Sequence, residues 1–442
     1  MVKCILIFLV TLMGVMGNVA DKQYNKVEFK HLCKILKVAE SEPEKVPDEL
    51  SKFTDVRRVL NSLLRATKTS TATYQKVIRL SSSDNDDADF ISYTVKRRLA
   101  NEKIKHNMNK VNEIFSRIEE ELIQARKERT QARNSLVHAI YGEQVGEIPK
   151  DQDISSVLKN VSKASIFNRW GGELDVDVHE EVPKHPTCGA TTGEGAGFTL
   201  INDFYCLCVG EQNDKAVCHE DIRGPCCCCK DCQDCKCDKC GCGNCGDKCK
   251  GCEHNGKWMY LFDVKKSEIV DLPQGWPVMR KACQKVFPEN VTSTAESIQE
   301  VLDDFHKLLG SNSSKRGITT GGSDAENESR RLVVLGYVKQ MDKQYNSCTG
   351  KENAVCVDYW TVLNNRHGIV WQNFMIEAQK HLQAMEDHVE KAQQLSSMIQ
   401  KLKESAEESY RNSGHGSMIW PEDKGSRKQI LHDFFIFFAC LL

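Results

Sequence analysis

The sequence predicts a mainly α fold: an elongated rod on two long, antiparallel, coiled-coil-like helices, with shorter helices beside them and an irregular, disulfide-rich head containing little β-structure. Three observations carry this. Two apolar stripes, each stepping alternately by four and three residues, lie more than two hundred residues apart in the chain. Charged residues make up 28% of the 442 positions and aromatics only 7%, a balance that suits long solvated helices better than a thick globular core. Twelve cysteines crowd into residues 226–252, with no aromatic or aliphatic side chain among them.

The chain opens MVKCILIFLVTLMGVMGNVA. Lys3 precedes an apolar run from Cys4 to Val15, and small residues follow around Gly17 and Ala20. This three-part pattern predicts a secretory signal peptide over residues 1–20, cleaved after Ala20 or, as the second choice, after Gly17. The run is about a dozen residues, short of the roughly 20 that a membrane span needs. From Tyr24 to Arg79, apolar positions at Leu32, Ile35 and Val38, then at Val56, Leu60, Leu63 and Leu64, predict two shorter helices broken by SEPEKVP.

The first long stripe reads Ile104, Met108, Val111, Phe115, Ile118, Leu122, Ala125, Ala132, Leu136 and Ala139, interrupted only by Arg129 and followed by Gly142. It predicts a helix from about Thr94 to Tyr141, about 70 Å long at roughly 1.5 Å per residue. The second reads Trp371, Met375, Ala378, Leu382, Met385, Val389 and Ala392, and after a phase slip Leu395, Ile399, Leu402 and Ala406; such a slip locally overwinds a coiled coil. Two stripes of similar length invite antiparallel pairing. Met108, Met375 and Met385 are core positions of these stripes, not a cofactor box.

Between Leu174 and Val264 the signals change to short alternations, glycines and cysteines, which predicts the irregular head, with a cysteine-rich insertion at about 186–255. Setting aside Cys4 in the leader and Cys440 in the tail, twenty cysteines remain: Cys33, Cys188, Cys206, Cys208, Cys218, Cys226, Cys227, Cys228, Cys229, Cys232, Cys235, Cys237, Cys240, Cys242, Cys245, Cys249, Cys252, Cys283, Cys348 and Cys356. The number is even and the leader points to an oxidising compartment, so all twenty are disulfide candidates. The crowded CxC and CxxC spacings also resemble a metallothionein, in which thiolates share soft metal ions without a hydrophobic core. Disulfides are the favoured reading of the run, structural metal the second and a redox role the third, since no helix start or basic pocket is evident to hold one thiol at low pKa.

Four N-glycosylation sequons occur, at Asn160, Asn290, Asn312 and Asn327. Asn312 and Asn327 are the better two, because they fall in SNSSKRGITTGGSDAENES, read as an exposed polar loop at about 309–330. The chain ends GSRKQILHDFFIFFACLL, in which Gly425 and Ser426 precede a polar spacer and an apolar terminus from Phe434 to Leu442. These are the ingredients of a glycosylphosphatidylinositol (GPI) attachment signal. Gly425 is the favoured anchor residue, with Ser426, Ser417 and Ser413 as alternatives; residues 411–425 would form a short stalk and 426–442 would be removed.

Signals for catalysis are weak. Formal net charge is −2, so no long-range field points to nucleic acid. The glycines of GEGAG, Gly193 to Gly197, lack the GxGxxG spacing of a dinucleotide loop, and no GxSxG, HExxH or P-loop is present. His179 and His185 are six residues apart in HEEVPKH, a spacing that matches no helical metal pair, and they read as surface histidines.

One stretch is distinctive. In TCGATTGEGAGFTLINDFYCLCVG, from Thr187 to Gly210, the residues Cys188, Gly197, Leu200, Asp203 and the Cys206-Leu-Cys208 pair, followed by Cys218, resemble the central motif of the trypanosome variant surface glycoproteins, the B-type N-terminal domain in particular. With the leader, the helices on either side and the C-terminal tail, the resemblance spans nearly the whole chain and places that domain at 21–410. It implies a rod-shaped homodimer on the outer face of the plasma membrane, held there by a GPI lipid. It implies a coat that shields the membrane and evades host antibodies by antigenic variation. It implies no catalytic residue, no cofactor, no metal and no small-molecule substrate. A surface receptor on the same scaffold is the alternative, and a secreted metal-binding protein a more distant one. Three features depart from the family's usual pattern: the cysteine run, an apolar tail weaker than the family usually shows, and the short link between the last long helix and the anchor region, where many members carry a separate cysteine-containing domain.

Overall fold

The computed structural model describes residues 23–48, 50–68, 88–146, 188–189, 196–209, 216–222, 227–228, 253–254, 272–311, 332–338, 348, 354–365 and 368–414, with single residues at 72, 75, 79 and 161 and the pair 165–166. The leader, Cys226, the cysteines at 229–252, residues 312–330 of the predicted polar loop, His179, His185 and the tail after 414 lie outside the described residues. In chain order the elements are α1 (Lys26–Glu40), α2 (Leu50–Thr67), α3 (Ala88–Tyr141), α4 (Leu200–Cys208), β1 (Cys227–Cys228), β2 (Glu253–His254), α5 (Leu272–Val286), α6 (Ala295–Leu308), β3 (Val334–Val338), β4 (Ala354–Asp358), α7 (Trp360–Asn364) and α8 (Val370–Asn412). The chain is mainly α, and its described strands form two antiparallel pairs, β1 with β2 and β3 with β4.

Two compact units emerge, one drawn from Met1–Lys45 and Arg126–Glu386, the other from Val46–Ala125 and Asp387–Leu442. In the second, α2, the amino-terminal part of α3 and the carboxy-terminal part of α8 share one core. Phe53, Val56, Leu60 and Leu63 meet Ile104, Val111, Ile114, Ile118 and Leu122, and these meet Ala392, Leu395, Ile399 and Ala406. Within this unit α3 and α8 run antiparallel: Asn107 donates to the Leu402 carbonyl at 3.1 Å, and Glu121 accepts from His388 at 2.5 Å. Met108 and Phe115 of the predicted stripe are only partly buried, whereas Asn107 and Ile114 are buried. A helix at 3.6 residues per turn drifts against a 3.5-residue repeat, and α2 widens the covered face. Phe53 meets the Phe115 ring edge-on at 6.1 Å, and the Arg57 guanidinium lies 3.8 Å above it.

The first unit is built around α1, which packs against α4, α5 and α6. Phe29, Leu32, Ile35 and Leu36 on α1 are fully buried. The break predicted at SEPEKVP is present, because Ser41 turns extended and Pro43 and Pro47 cannot continue a helix. Arg129, the outlier in the first stripe, belongs to this break: its guanidinium donates to the carbonyls of Pro43 and Glu44 and to the Glu42 carboxylate at 2.9–3.2 Å. A stripe position is thus spent on catching the bend. Also in this unit α3 and α8 are antiparallel, with Glu128 facing His381 at 2.7 Å and the His138 ring against Phe374 at 5.5 Å. Helix α3 begins six residues ahead of the predicted Thr94 and ends at Tyr141 as predicted. Gly142 follows with φ +84, and a side chain there would meet the Ser165 carbonyl at 2.7 Å.

Candidate functional site

The central motif folds as a short helix clasped on every side. Thr199 caps α4: its hydroxyl accepts from the Asn202 amide at 3.1 Å and donates to the Ile166 carbonyl at 2.8 Å. Each residue of α4 is buried, so the polar ones need partners from elsewhere in the fold.

Asp203 is fully buried and accepts four hydrogen bonds. Oδ1 takes the Gly197 amide at 2.9 Å and the Asn202 side chain at 3.0 Å, while Oδ2 takes the Tyr359 hydroxyl at 2.7 Å and the Trp371 indole N–H at 2.6 Å. Three segments far apart in sequence, the Gly197 turn, the end of β4 and the start of α8, therefore converge on one carboxylate. Burial pushes the Asp203 carboxyl up to about 6, against the opposing pull of the bonds from Tyr359, Gly197, Trp371 and Asn202. Burial, with the nearby Asp203 charge behind it, holds the Tyr359 phenol well above its usual range. Phe305 seals this side, its ring edge-on to Trp371 at 5.0 Å and to Tyr359 at 5.9 Å.

Gly197 fits this turn because it lacks a side chain. Its φ is +73, and a Cβ would stand 2.9 Å from Ile369 and 3.3 Å from the Tyr359 ring. Its carbonyl accepts from the Trp371 amide at 3.1 Å, which ties the motif to the first turn of α8.

A second buried clamp holds the other end of α4. Asn25, just ahead of α1, donates from Nδ2 to the carbonyls of Leu207 and Val355, both at 2.7 Å, and accepts at Oδ1 from the Tyr337 amide at 2.8 Å. One amide thus joins α1, α4, β3 and β4. Disulfides frame the same region: Cys188–Cys206 and Cys208–Cys218 fix the last turn of α4, Cys348–Cys356 fixes β4, and Cys33–Cys283 links α1 to α5.

Every motif residue named from the sequence, Cys188, Gly197, Leu200, Asp203, Cys206, Cys208 and Cys218, is buried in this one assembly. The sequence reading missed Asn25, Asn202 and Tyr359 as partners, and it placed Trp371 only as a stripe residue. The other candidates scatter. Asn290 is exposed between α5 and α6, and Ser413 is buried at the end of α8 with its hydroxyl donating to the Tyr410 carbonyl at 2.6 Å. Asn160, Asn312, Asn327, Ser417, Gly425 and Ser426 lie outside the described residues. Of the cysteine run, the described part is the backbone of Cys227 and Cys228, which pairs with His254 and Glu253 and closes the insertion at its root.

Chemically, this arrangement is a clamp. A carboxylate with two donors on each oxygen has its acceptor capacity filled, and a general base must instead reach a substrate proton. Among the described residues, no three His, Cys, Asp or Glu side chains are placed to share a metal ion, and no helix is long and apolar enough to cross a membrane.

The fold and this site define a helical, disulfide-framed structural domain whose central motif serves to hold helices together. A family model for the trypanosomal VSG (variant surface glycoprotein) domain, B type, matches residues 65–225 and 224–401, and the chain belongs to that family of surface coat proteins. The matched segments meet at Gly224 and Pro225, immediately before the cysteine run. The comparison with curated proteins returns no match.

Proposed function

We propose that this protein is a GPI-anchored, homodimeric coat glycoprotein that shields the trypanosome plasma membrane and evades host antibodies by antigenic variation. Its family membership over residues 65–401 carries the reading. The filled carboxylate at Asp203 agrees with it, since this fully buried group spends its four hydrogen bonds on holding the fold together. The leader at 1–20 supplies entry to the secretory pathway, and the tail at 426–442, with Gly425 as the favoured acceptor, supplies the lipid. The cysteine run then becomes an exposed, disulfide-stapled insertion that host antibody meets, closed at its root by the β1–β2 pair.

Surface labelling of living cells followed by counting of copies tests the role. A coat protein dominates the labelled surface and retains no ligand on purification. A scarce protein that co-purifies with one ligand would instead be a receptor on the same scaffold. The mass of the intact, non-reduced chain tests the insertion: a deficit of two hydrogens per cysteine pair supports disulfides, whereas bound zinc or copper with free thiols contradicts them.

A further inference from the structure

We propose that Asn290 carries an N-linked glycan, and that this glycan covers the turn at Pro43 and Glu44 that follows α1. The sequon lies in an exposed segment between two helices. Helix α5 stops at Val286 because Pro288 follows, and a residue ahead of proline is driven out of the helical region. Helix α6 cannot begin before Thr294, whose side chain forms a reciprocal capping box with Ser297. The residues between have no helix to join, and both Asn290 and Thr292, the two sequon positions read by the glycosylating enzyme, are exposed.

The far end of this segment is pinned. The Ser293 hydroxyl donates to the carbonyls of Val38 and Ser41, and its backbone pairs in parallel with Pro43. The Ser297 hydroxyl reaches the Thr292 carbonyl at 3.1 Å. Asn290 is thus exposed three positions ahead of an anchored residue. Asn290 lies three positions ahead of Ser293, at most about 10 Å of extended chain, so a sugar on Asn290 starts within that distance of the residue paired with Pro43. What it would cover there is Glu44, an exposed residue whose carbonyl, with that of Pro43, accepts from Arg129. The glycan makes the exposed side of that turn inaccessible.

The inference requires passage through the secretory pathway, and surface labelling reports on that separately. The test uses the full chain purified from its own cells. Enzymatic glycan release in heavy-oxygen water, followed by peptide mass spectrometry, should mark residue 290 as a labelled aspartate. The native protein is then exposed to a glutamate-specific protease before and after deglycosylation, with Asn290→Gln as an unglycosylated control. Cleavage after Glu44 should quicken several-fold in both deglycosylated forms. An unmodified Asn290 overturns the proposal, and equal cleavage rates with a glycan present overturn the shielding role.

Discussion

Replacing Asp203 by asparagine separates the two forces that meet at the central clamp. Asparagine keeps the shape of the side chain but places an N–H₂ where one carboxylate oxygen stood. Facing Tyr359 and Trp371, it leaves the indole N–H without an acceptor; facing Gly197, it does the same to a backbone amide. Each such orphan costs about 1–3 kcal/mol. Against this, asparagine never has to bury a charge. With the folded carboxyl at about 6 and an ordinary value of 3.8, the ionised form is disfavoured by about 2 pK units, or about 3 kcal/mol at pH 7. The native state therefore binds the proton more tightly than the unfolded chain. Wild-type stability from this group rises as pH falls through 6 and levels off below the unfolded value near 4. Denaturant unfolding of the wild type and Asp203→Asn, followed by tryptophan fluorescence at pH 7 and pH 4.5, measures the difference and cancels the histidines common to both. Between these two pH values the wild type should gain about 2 kcal/mol on the variant. Parallel pH profiles would refute the reasoning, and a wild type that loses ground on acidification would mean that the four hydrogen bonds outweigh burial.

Three other substitutions probe separate parts of the account. Asn25→Ala removes three buried hydrogen bonds joining α1, α4, β3 and β4 and should lower stability by about 3 kcal/mol, seen as an earlier denaturation midpoint at an unchanged slope. Gly197→Ala forces a side chain into a left-handed conformation and against Ile369; a loss of about 2 kcal/mol is expected, and hydrogen exchange should quicken in α4. Leu60→Ala opens a cavity in the core shared by α2, α3 and α8, costing about 2–5 kcal/mol, and hydrogen exchange should report the loss in the second unit.

The long helices were legible because burial along a seam imposes a short, strict period. Ile104, Val111, Ile118, Ala378 and Leu382 stand where the steps of four and three placed them, and all are fully buried. The bend at SEPEKVP was legible from its prolines. The clamps were not. Asp203 was visible as part of a motif, but nothing in the spacing of residues could say that Tyr359 and Trp371, more than 150 positions downstream, would reach its Oδ2. Asn25 gave no signal beyond an asparagine ahead of a helix, and it does not even cap that helix with its side chain; its partners are main-chain groups, which every sequence has. Periodicity records where apolar surface must be hidden, whereas a buried polar contact is recorded only in the fold that brings its partners together. Arg129 shows the same limit, since it looked like a fault in the stripe and is instead the residue that holds the bend.

The coat reading rests on the protein being held at the cell surface by lipid and being abundant there. Treating intact, surface-labelled cells with a phospholipase specific for phosphatidylinositol, and weighing this chain in the released material against all labelled protein, tests both at once. The account predicts that the chain is released and is the principal labelled species. A chain that stays with the cells, or leaves them only as a trace, would contradict it.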